Sequence, residues 1–172
     1  SLNVVIALKE SGIDSAEDLE GKKIGYAGTV LSEEQIKSML EHVGLAADSC
    51  EFVDVGFDLL TATTTGQVDA TIGNMVNHEV PQLEEEGIEI NYFFPTDFGV
   101  PEVYELVFLA GQDAVENNPE KLQKFLRAAK KGFDFTKENP EEALQILLDH
   151  QNAENFPLSP TVETESLKIL LP

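Results

Sequence analysis

Short stretches that are apolar, or that alternate between apolar and polar residues, recur along the first part of the chain. Bounded by glycine and other turn residues, they are typical of β-strands. They predict strands at residues 4–8, 22–26, 50–55, 68–73, 88–94 and 103–110. The stretch at 4–8 is apolar throughout, which fits either a buried strand or the entry of a short helix.

Segments with apolar residues at helical spacing lie between these predicted strands. In the clearest one, Ser32 is a good N-cap, Gln35 completes a capping-box pattern and Gly44 supplies the C-terminal stop. Two further helices are predicted at 57–65 and 74–86. Because strands and helices alternate, the pattern predicts an α/β fold with a mostly parallel sheet.

The pattern becomes entirely helical from residue 113 onward. Helices are predicted to begin at Pro119 and Pro140, and a third is predicted at 161–171. The change in composition falls near Gly111. Since the helical part has no strands of its own to cover, we expect it to pack on another part of the protein.

Residues 22–35 join a strand, a glycine-containing loop and the start of a helix. Gly25 and Gly28 suit a sharp bend in which the backbone approaches another group closely. Unpaired N–H groups and the positive end of the helix dipole favour a polar or anionic ligand group at such a place. An ordinary strand–helix turn explains the same residues, because a short glycine loop is a motif of low specificity.

The composition narrows the class of partner. The chain has 172 residues, of which 42% are hydrophobic and 25% charged, and this is typical of a soluble globular protein. A net charge of −21 argues against nucleic acid and anionic membrane surfaces. Cys50 is the only cysteine, which excludes an intrachain disulfide and a cysteine-based metal site.

Nothing in the sequence favours catalysis, a cofactor or a metal. The histidines at 42, 78 and 150 lie in separate helical contexts, without partners at metal-ligand spacing. No nucleophile elbow, Walker loop or paired-histidine motif is present. No apolar run approaches the roughly 18 residues that span a bilayer. The chain opens directly on the apolar run at 4–8, and we expect it to be a piece of a longer protein.

The order and spacing of several motifs resemble a known family. They include the Gly-Gln-Val-Asp-Ala segment at 66–70 and the Gly-Val-Pro-Glu-Val-Tyr-Glu-Leu-Val run at 99–107. The other matching runs are 7–13, 18–25 and 55–60. The chain resembles the later part of a periplasmic-type solute-binding protein of an ABC importer. This family includes proteins that bind thiamine pyrimidine precursors, alkanesulfonates and nitrate, and the run at 99–107 is most similar to the pyrimidine-precursor branch.

The resemblance implies a periplasmic-binding-protein-like, type II architecture, in which two α/β lobes hold a ligand in the cleft between them. Residues 1–11 would be a crossing segment from the first lobe, and residues 12–103 the second lobe. Residues 104–172 would return to the first lobe as its C-terminal helices. The first lobe would then be incomplete, and we expect its exposed apolar faces to favour self-association.

Seven residues are candidates for ligand contact. Gly28, Thr29 and Val30 would bring backbone N–H groups and a hydroxyl to the cleft. Asn74 would offer an amide suited to a pyrimidine edge, and it also fits a helix N-cap.

The remaining candidates are Glu79, Tyr104 and Glu105. Near Glu79 the resembling proteins have an acidic residue, although a solvated helix face also explains it. Tyr104 and Glu105 fall in the crossing region, where a ring stacks on a flat ligand or a carboxylate accepts a hydrogen bond from it.

The preferred function is the extracytoplasmic solute-binding component of an ABC importer, with a thiamine pyrimidine precursor as ligand and a membrane permease as partner. Lobe closure would be driven by contacts made only in the closed state. Two alternatives stay open: the ligand-sensing domain of a transcriptional regulator, and a pyrimidine-precursor synthase on the same scaffold.

Overall fold

The computed structural model describes residues 1–104, 106–154 and 157–171. The chain forms two compact units, Ser1–Glu105 and Leu106–Pro172. We call them the first and second units and describe each by itself.

The first unit is built on one five-stranded sheet with the strand order β3-β2-β4-β1-β5. Its strands are β1 (Asn3–Leu8), β2 (Lys23–Tyr26), β3 (Glu51–Asp54), β4 (Ala70–Met75) and β5 (Ile90–Phe93). Strands β3, β2 and β4 pair in parallel, whereas β1 is antiparallel to both β4 and β5. Four strands therefore share one direction, and the predicted α/β class with a mostly parallel sheet is confirmed.

Helices cover both faces of this sheet. They are α1 (Val30–His42), α2 (Leu59–Thr64) and α3 (Glu79–Glu85). On one face, Ile36 and Leu40 of α1 join a core with Val5, and on the other face Leu83 of α3 joins Val4. Strand β1 is thus buried on both sides, because successive side chains of a strand point to opposite faces. This explains why residues 4–8 are apolar without alternation, and it selects the strand over the short helix.

The predicted junction between β4 and α3 is wrong. Residues 74–86 were expected to form one helix with Asn74 as its N-cap. Asn74 instead lies within β4, and α3 begins only at Glu79. The pairing of β4 with β1 continues to Met75, so ladder hydrogen bonds outweigh the local helical pattern there.

The strand predicted at 103–110 does not form in the described residues 103–104 and 106–110. The alternation of apolar residues is present, but a strand also needs a neighbour to satisfy its backbone N–H and C=O groups. Among the described residues, the sheet of the first unit consists of β1 to β5.

The second unit is helical, as the sequence predicts. Its helices are α4 (Gln112–Asn117), α5 (Pro119–Glu138), α6 (Pro140–Asp149) and α7 (Pro160–Leu170). Proline opens the last three of these, where its missing N–H costs no helical hydrogen bond. Val162 and Ser166 are the buried residues among those described in this unit, whereas Phe125 and Phe133 are exposed. The described helices therefore leave most of their apolar side chains uncovered.

Across the described ranges, none of the helices combines the length and apolar character that crossing a membrane requires.

Candidate functional site

The ends of several strands meet at one edge of the first unit's sheet. We call this the carboxyl edge and define it as Asn3 with residues 26–30, 54–58 and 74–79. It contains the carboxyl ends of β2, β3 and β4 and the start of the antiparallel β1, since Tyr26 pairs with Asp54 and Asn3 pairs with Met75. Ligands of open α/β sheets bind at this kind of edge. Of the seven candidates, Gly28, Thr29, Val30, Asn74 and Glu79 lie on it.

Gly28 is held against the neighbouring loop. Its φ of +66° is in the left-handed region, and a Cβ at this position would lie 2.8 Å from the Asp54 Oδ2 atom. The Asp54 carboxylate is itself fixed, because its Oδ1 accepts a hydrogen bond from the Gly56 N–H at 3.0 Å. The close backbone approach expected at Gly28 is therefore an approach to a carboxylate of this chain.

Thr29, and not Ser32, is the N-cap of α1. Its Oγ1 accepts a hydrogen bond from the Ser32 N–H at 3.3 Å and lies 2.8 Å from the Ser32 Oγ. The helix consequently begins at Val30, three residues before the start predicted with Ser32 as N-cap, and the capping-box interpretation of Ser32 is wrong. Both residues are good N-cap types, so the sequence pattern alone fits two registers.

We expect Thr29→Ala to destabilise the protein by about 1 kcal/mol, because the cap acceptor for the first turn of α1 is lost. Ser32→Ala is the control: it removes a hydroxyl but not the cap, and its effect should be smaller. Urea unfolding followed by tyrosine fluorescence measures both, since all three tyrosines lie in residues 1–105. A larger loss for Ser32→Ala would show that Ser32 is the cap in solution.

Asn74 lies in a buried chain of polar groups. Its Nδ2 donates to the Thr71 carbonyl at 3.1 Å and to Thr71 Oγ1 at 3.0 Å. Thr71 Oγ1 lies 2.8 Å from Thr63 Oγ1, which donates to the Leu59 carbonyl at 3.1 Å. A carbonyl oxygen only accepts, so the amide orientation of Asn74 is fixed.

The oxygen of the Asn74 amide has unused hydrogen-bonding capacity. Its Oδ1 atom is buried and has no hydrogen-bond partner among the described residues. Asn74 is therefore an acceptor held at the carboxyl edge, but its side chain is wholly shielded from solvent. A ligand reaches this oxygen only if the covering groups move.

Glu79 has a local structural role. Its Oε2 accepts a hydrogen bond from the Met75 N–H at 2.7 Å, and its Oε1 lies 3.7 Å from His78 Nδ1. The carboxylate thus joins the end of β4 to the start of α3, and it is neither a freely solvated face nor a free acceptor.

Of the last two candidates, Tyr104 is not on the carboxyl edge. The Tyr104 side chain is 93% exposed and lies outside the helices and strands. Glu105 lies outside the described residues, so its predicted ligand contact stays a prediction.

Three residues at this edge were missed from the sequence. Asp54 is the carboxylate beside Gly28, and Phe57, which directly follows Gly56, is 96% exposed. Asn3 accepts from the Gly73 N–H at 3.2 Å and donates to Gln35 Oε1 at 3.0 Å, which ties β1 to β4 and α1. The available signal was the position of Asp54 near the end of the predicted strand at 50–55, two residues before Gly56.

The carboxyl edge is negatively charged. Asp54, Asp58 and Glu79 lie on it, whereas Lys9, Lys22 and Lys23 lie at the opposite ends of the strands. That opposite edge also carries a cavity of about 510 Å³, lined in part by Lys9 and Glu89. No group of three or more metal-ligating side chains occurs within the described ranges.

Cys50 belongs to the opposite edge as well, because it immediately precedes β3. Burial raises the pKa of its thiol to about 11. The thiol therefore stays protonated at neutral pH, and this makes it a poor nucleophile.

Curated relatives match nearly the whole chain. A formylaminopyrimidine-binding protein of Halalkalibacterium halodurans is 45% identical over 170 residues, which cover 99% of this chain and 52% of the relative. A putative thiamine biosynthesis protein of Haemophilus influenzae is 35% identical over 98% of this chain and 54% of its own length. A 4-amino-5-hydroxymethyl-2-methylpyrimidine phosphate synthase of Aspergillus parasiticus is 30% identical over 84% of this chain and 45% of its own length. The chain spans about half the length of the curated relatives it matches.

The fold also matches a solved structure. The periplasmic aliphatic sulphonate binding protein SsuA from Escherichia coli superposes with a TM-score of 0.73 at 19% identity, covering 97% of this chain and 54% of that protein. At this identity the match concerns the fold alone. The family model described as NMT1/THI5 like matches residues 1–143. The chain therefore belongs to the NMT1/THI5-like family.

Proposed function

We propose that this chain is the later part of a two-lobed, extracytoplasmic solute-binding protein of an ABC importer, and that its ligand is a thiamine pyrimidine precursor. The observation that carries the proposal is the 45% identity, over 99% of the chain, to a formylaminopyrimidine-binding protein. The superposition on a periplasmic sulphonate-binding protein supports the architecture.

In this proposal residues 1–11 cross from the first lobe, residues 12–103 form the second lobe, and residues 104–172 return to the first. The proposed second lobe thus lies within the first unit, and the carboxyl edge is its contribution to the cleft. The permease is the partner, and the uncovered apolar side chains of the second unit favour self-association of the chain on its own.

Each candidate then has a proposed role. The backbone N–H groups at Gly28 to Val30 face ligand from the start of α1. Once the groups that bury Asn74 move aside, its Oδ1 atom accepts a hydrogen bond from a ligand amine. A buried acceptor without a partner gains most from such a hydrogen bond. Glu79 positions the end of β4, while Tyr104 and Glu105 contact the ligand from the crossing region.

A thermal-shift titration of the full-length protein tests this function. Formylaminopyrimidine, taurine and nitrate are added separately over a wide concentration range. A ligand that binds only the folded state raises the melting temperature in proportion to the logarithm of its concentration. We expect such a rise with the pyrimidine and none with the other two.

Two outcomes of the thermal-shift titration would contradict the proposed ligand. A rise with taurine or nitrate in place of the pyrimidine would reject the ligand class but not the transport role. The absence of any rise would remove the ligand proposal altogether.

A synthase is the second candidate, because one relative with that name is 30% identical over 84% of the chain. The binding-protein relative shares more residues over more of the chain, so we propose a non-enzymatic role. A synthase of this name forms the pyrimidine phosphate, so the test incubates the full-length protein with a metabolite extract and measures that product. We expect none to accumulate above a protein-free control, and its accumulation in stoichiometric amounts would favour the synthase.

A further inference from the structure

Asp54 carries an inference about the charge of the ligand, which rests on the proposed function. We propose that its carboxylate makes the carboxyl edge reject anions, so that the protein selects an uncharged or protonated heteroaromatic ligand over the phosphate ester of the same compound. Asp54 is thus a specificity-determining residue.

The loop before α1 has the appearance of an anion site. A glycine-containing turn leads into the N-terminus of a 13-residue helix, and such helix starts favour negative charge. Sequence reasoning alone leaves a sulfonate, a phosphate and a neutral polar group equally acceptable there. What surrounds the loop decides between them.

The Asp54 carboxylate lies beside this loop, where an anionic ligand group would have to bind. An added Cβ on Gly28 would lie 2.8 Å from Asp54 Oδ2 and 3.2 Å from Asp54 Oδ1, so the carboxylate sits directly against the Gly28 backbone. The neighbouring chain segments fix this separation, because Tyr26 pairs with Asp54 and the Val55 N–H donates to the Tyr26 carbonyl at 3.0 Å. The Gly56 N–H holds the other carboxylate oxygen.

The helix start also has fewer donors to offer than its sequence suggests. The Ser32 N–H donates to Thr29 Oγ1, and the Glu33 N–H donates to the Thr29 carbonyl at 3.4 Å. Glu33 itself lies in the first turn of α1, where its charge already complements the helix dipole.

No described lysine or arginine offsets these charges at the carboxyl edge. Lys37, the lysine of α1, is held by Glu33 at 2.7 Å and Glu34 at 2.9 Å, and the pKa of its ammonium is raised mainly by the hydrogen bond to Glu33. His78 lies beside Glu79. Residues 1–105 contain 4 basic and 21 acidic residues, so the wider field has the same sign as Asp54.

The expected size of the effect follows from Coulomb's law. Two unit charges about 4 Å apart in water repel enough to weaken binding by a factor of about five, and a drier closed cleft increases that factor. A neutral ligand is not repelled by the Asp54 carboxylate, and a protonated ring is attracted to it.

The test compares the full-length wild-type protein with Asp54→Asn and Asp48→Asn. Asparagine keeps an acceptor for the Gly56 N–H while removing the charge. Asp48 is the matched control, because it is an exposed aspartate that precedes the opposite end of the same strand β3. Calorimetric titrations use 4-amino-5-hydroxymethyl-2-methylpyrimidine and its phosphate ester at constant ionic strength, and NMR follows the Gly28 and Thr29 amides with inorganic phosphate.

We expect the wild-type protein and Asp48→Asn to bind the unphosphorylated compound at least fivefold more tightly than the ester. Asp54→Asn should reduce this preference by about fivefold, chiefly through tighter binding of the ester. A wild-type preference for the ester, or the same preference in Asp54→Asn and Asp48→Asn, would overturn the inference.

The phosphate titration separates this inference from the proposed function. If the wild-type protein binds neither pyrimidine, the ligand proposal fails, but the role of Asp54 is still decided. Saturable shifts of the Gly28 and Thr29 amides that appear only in Asp54→Asn support it, and equal shifts in all three proteins reject it.

Discussion

Replacing Leu40 by alanine is expected to lower the free energy of unfolding by about 2–5 kcal/mol. Leu40 is completely buried on the face of α1 that packs against β1, β2 and β4, in a core that includes Val5, Ile24 and Ile72. The substitution removes the transfer free energy of three carbon atoms and leaves a cavity that the surrounding strands fill only in part. Urea unfolding followed by tyrosine fluorescence reports the first unit selectively.

Leu31→Ala is the matched control for this prediction. It makes the same chemical change in the same helix, but the Leu31 side chain is 62% exposed. We expect its effect to stay within about 0.5 kcal/mol. Equal losses for the two variants would mean that α1 does not pack on the sheet through Leu40.

Gly25→Ala is expected to cost about 1–3 kcal/mol through overpacking. Gly25 lies in β2 between the two parallel neighbours of that strand, and an added Cβ would lie 2.9 Å from Thr71 Cγ2 and 3.0 Å from Val68 Cγ2. Both of these atoms belong to β-branched side chains with little rotamer freedom, so the strain is not relieved by a simple rotation.

A double-mutant cycle with Thr71→Ser identifies the cause. Serine removes the Cγ2 atom but keeps the hydroxyl that links Thr63 to Asn74. Gly25→Ala combined with Thr71→Ser should therefore be more stable than the sum of the two single changes predicts. Strict additivity would show that the methyl contact is not the source of the loss.

The same strands also set the geometry of the carboxyl edge. Its loops take their positions from β2, β3 and β4, and the approach of Asp54 to Gly28 follows from the pairing of Tyr26 with Asp54. A site fixed by strands holds charge and hydrogen-bond groups more accurately than one fixed by a free loop.

Much of the local structure was predictable from residue types. The positions of β1, α1, α5 and α6 could be predicted from a few neighbouring residues each. The signals were the apolar run at 4–8, the helical spacing after residue 30 and the prolines at 119 and 140. One error was local, because Thr29 and Ser32 are both good N-cap residues; another fell where long-range pairing competed with a local pattern. Asn74 and Met75 fit a helix start, but their pairing with β1 extends β4.

Five of the seven candidate residues lie at the carboxyl edge, but the contacts that their side chains make there were not predictable from the sequence. Gly28, Thr29 and Asn74 were identified because polar and glycine residues follow predicted strands. That Asn74 is an acceptor with a fixed orientation depends on Thr71 and Thr63, neither of which stood out in the sequence. Whether a side chain has an unused hydrogen-bond donor or acceptor depends on its neighbours in space. The periodicity of the sequence carries no information about those neighbours.

The sequence by itself determined the α/β class, most strand and helix positions and the strongly negative charge, because these follow from composition and from periodicities of two and 3.6 residues. Only the tertiary structure decided the strand order, the antiparallel insertion of β1 and the meeting of Gly28 with Asp54. Those features come from backbone hydrogen bonds between segments far apart in the chain, and such bonds are nearly independent of which side chains flank them. The placement of the Asp54 carboxylate beside Gly28 is therefore a property of the fold.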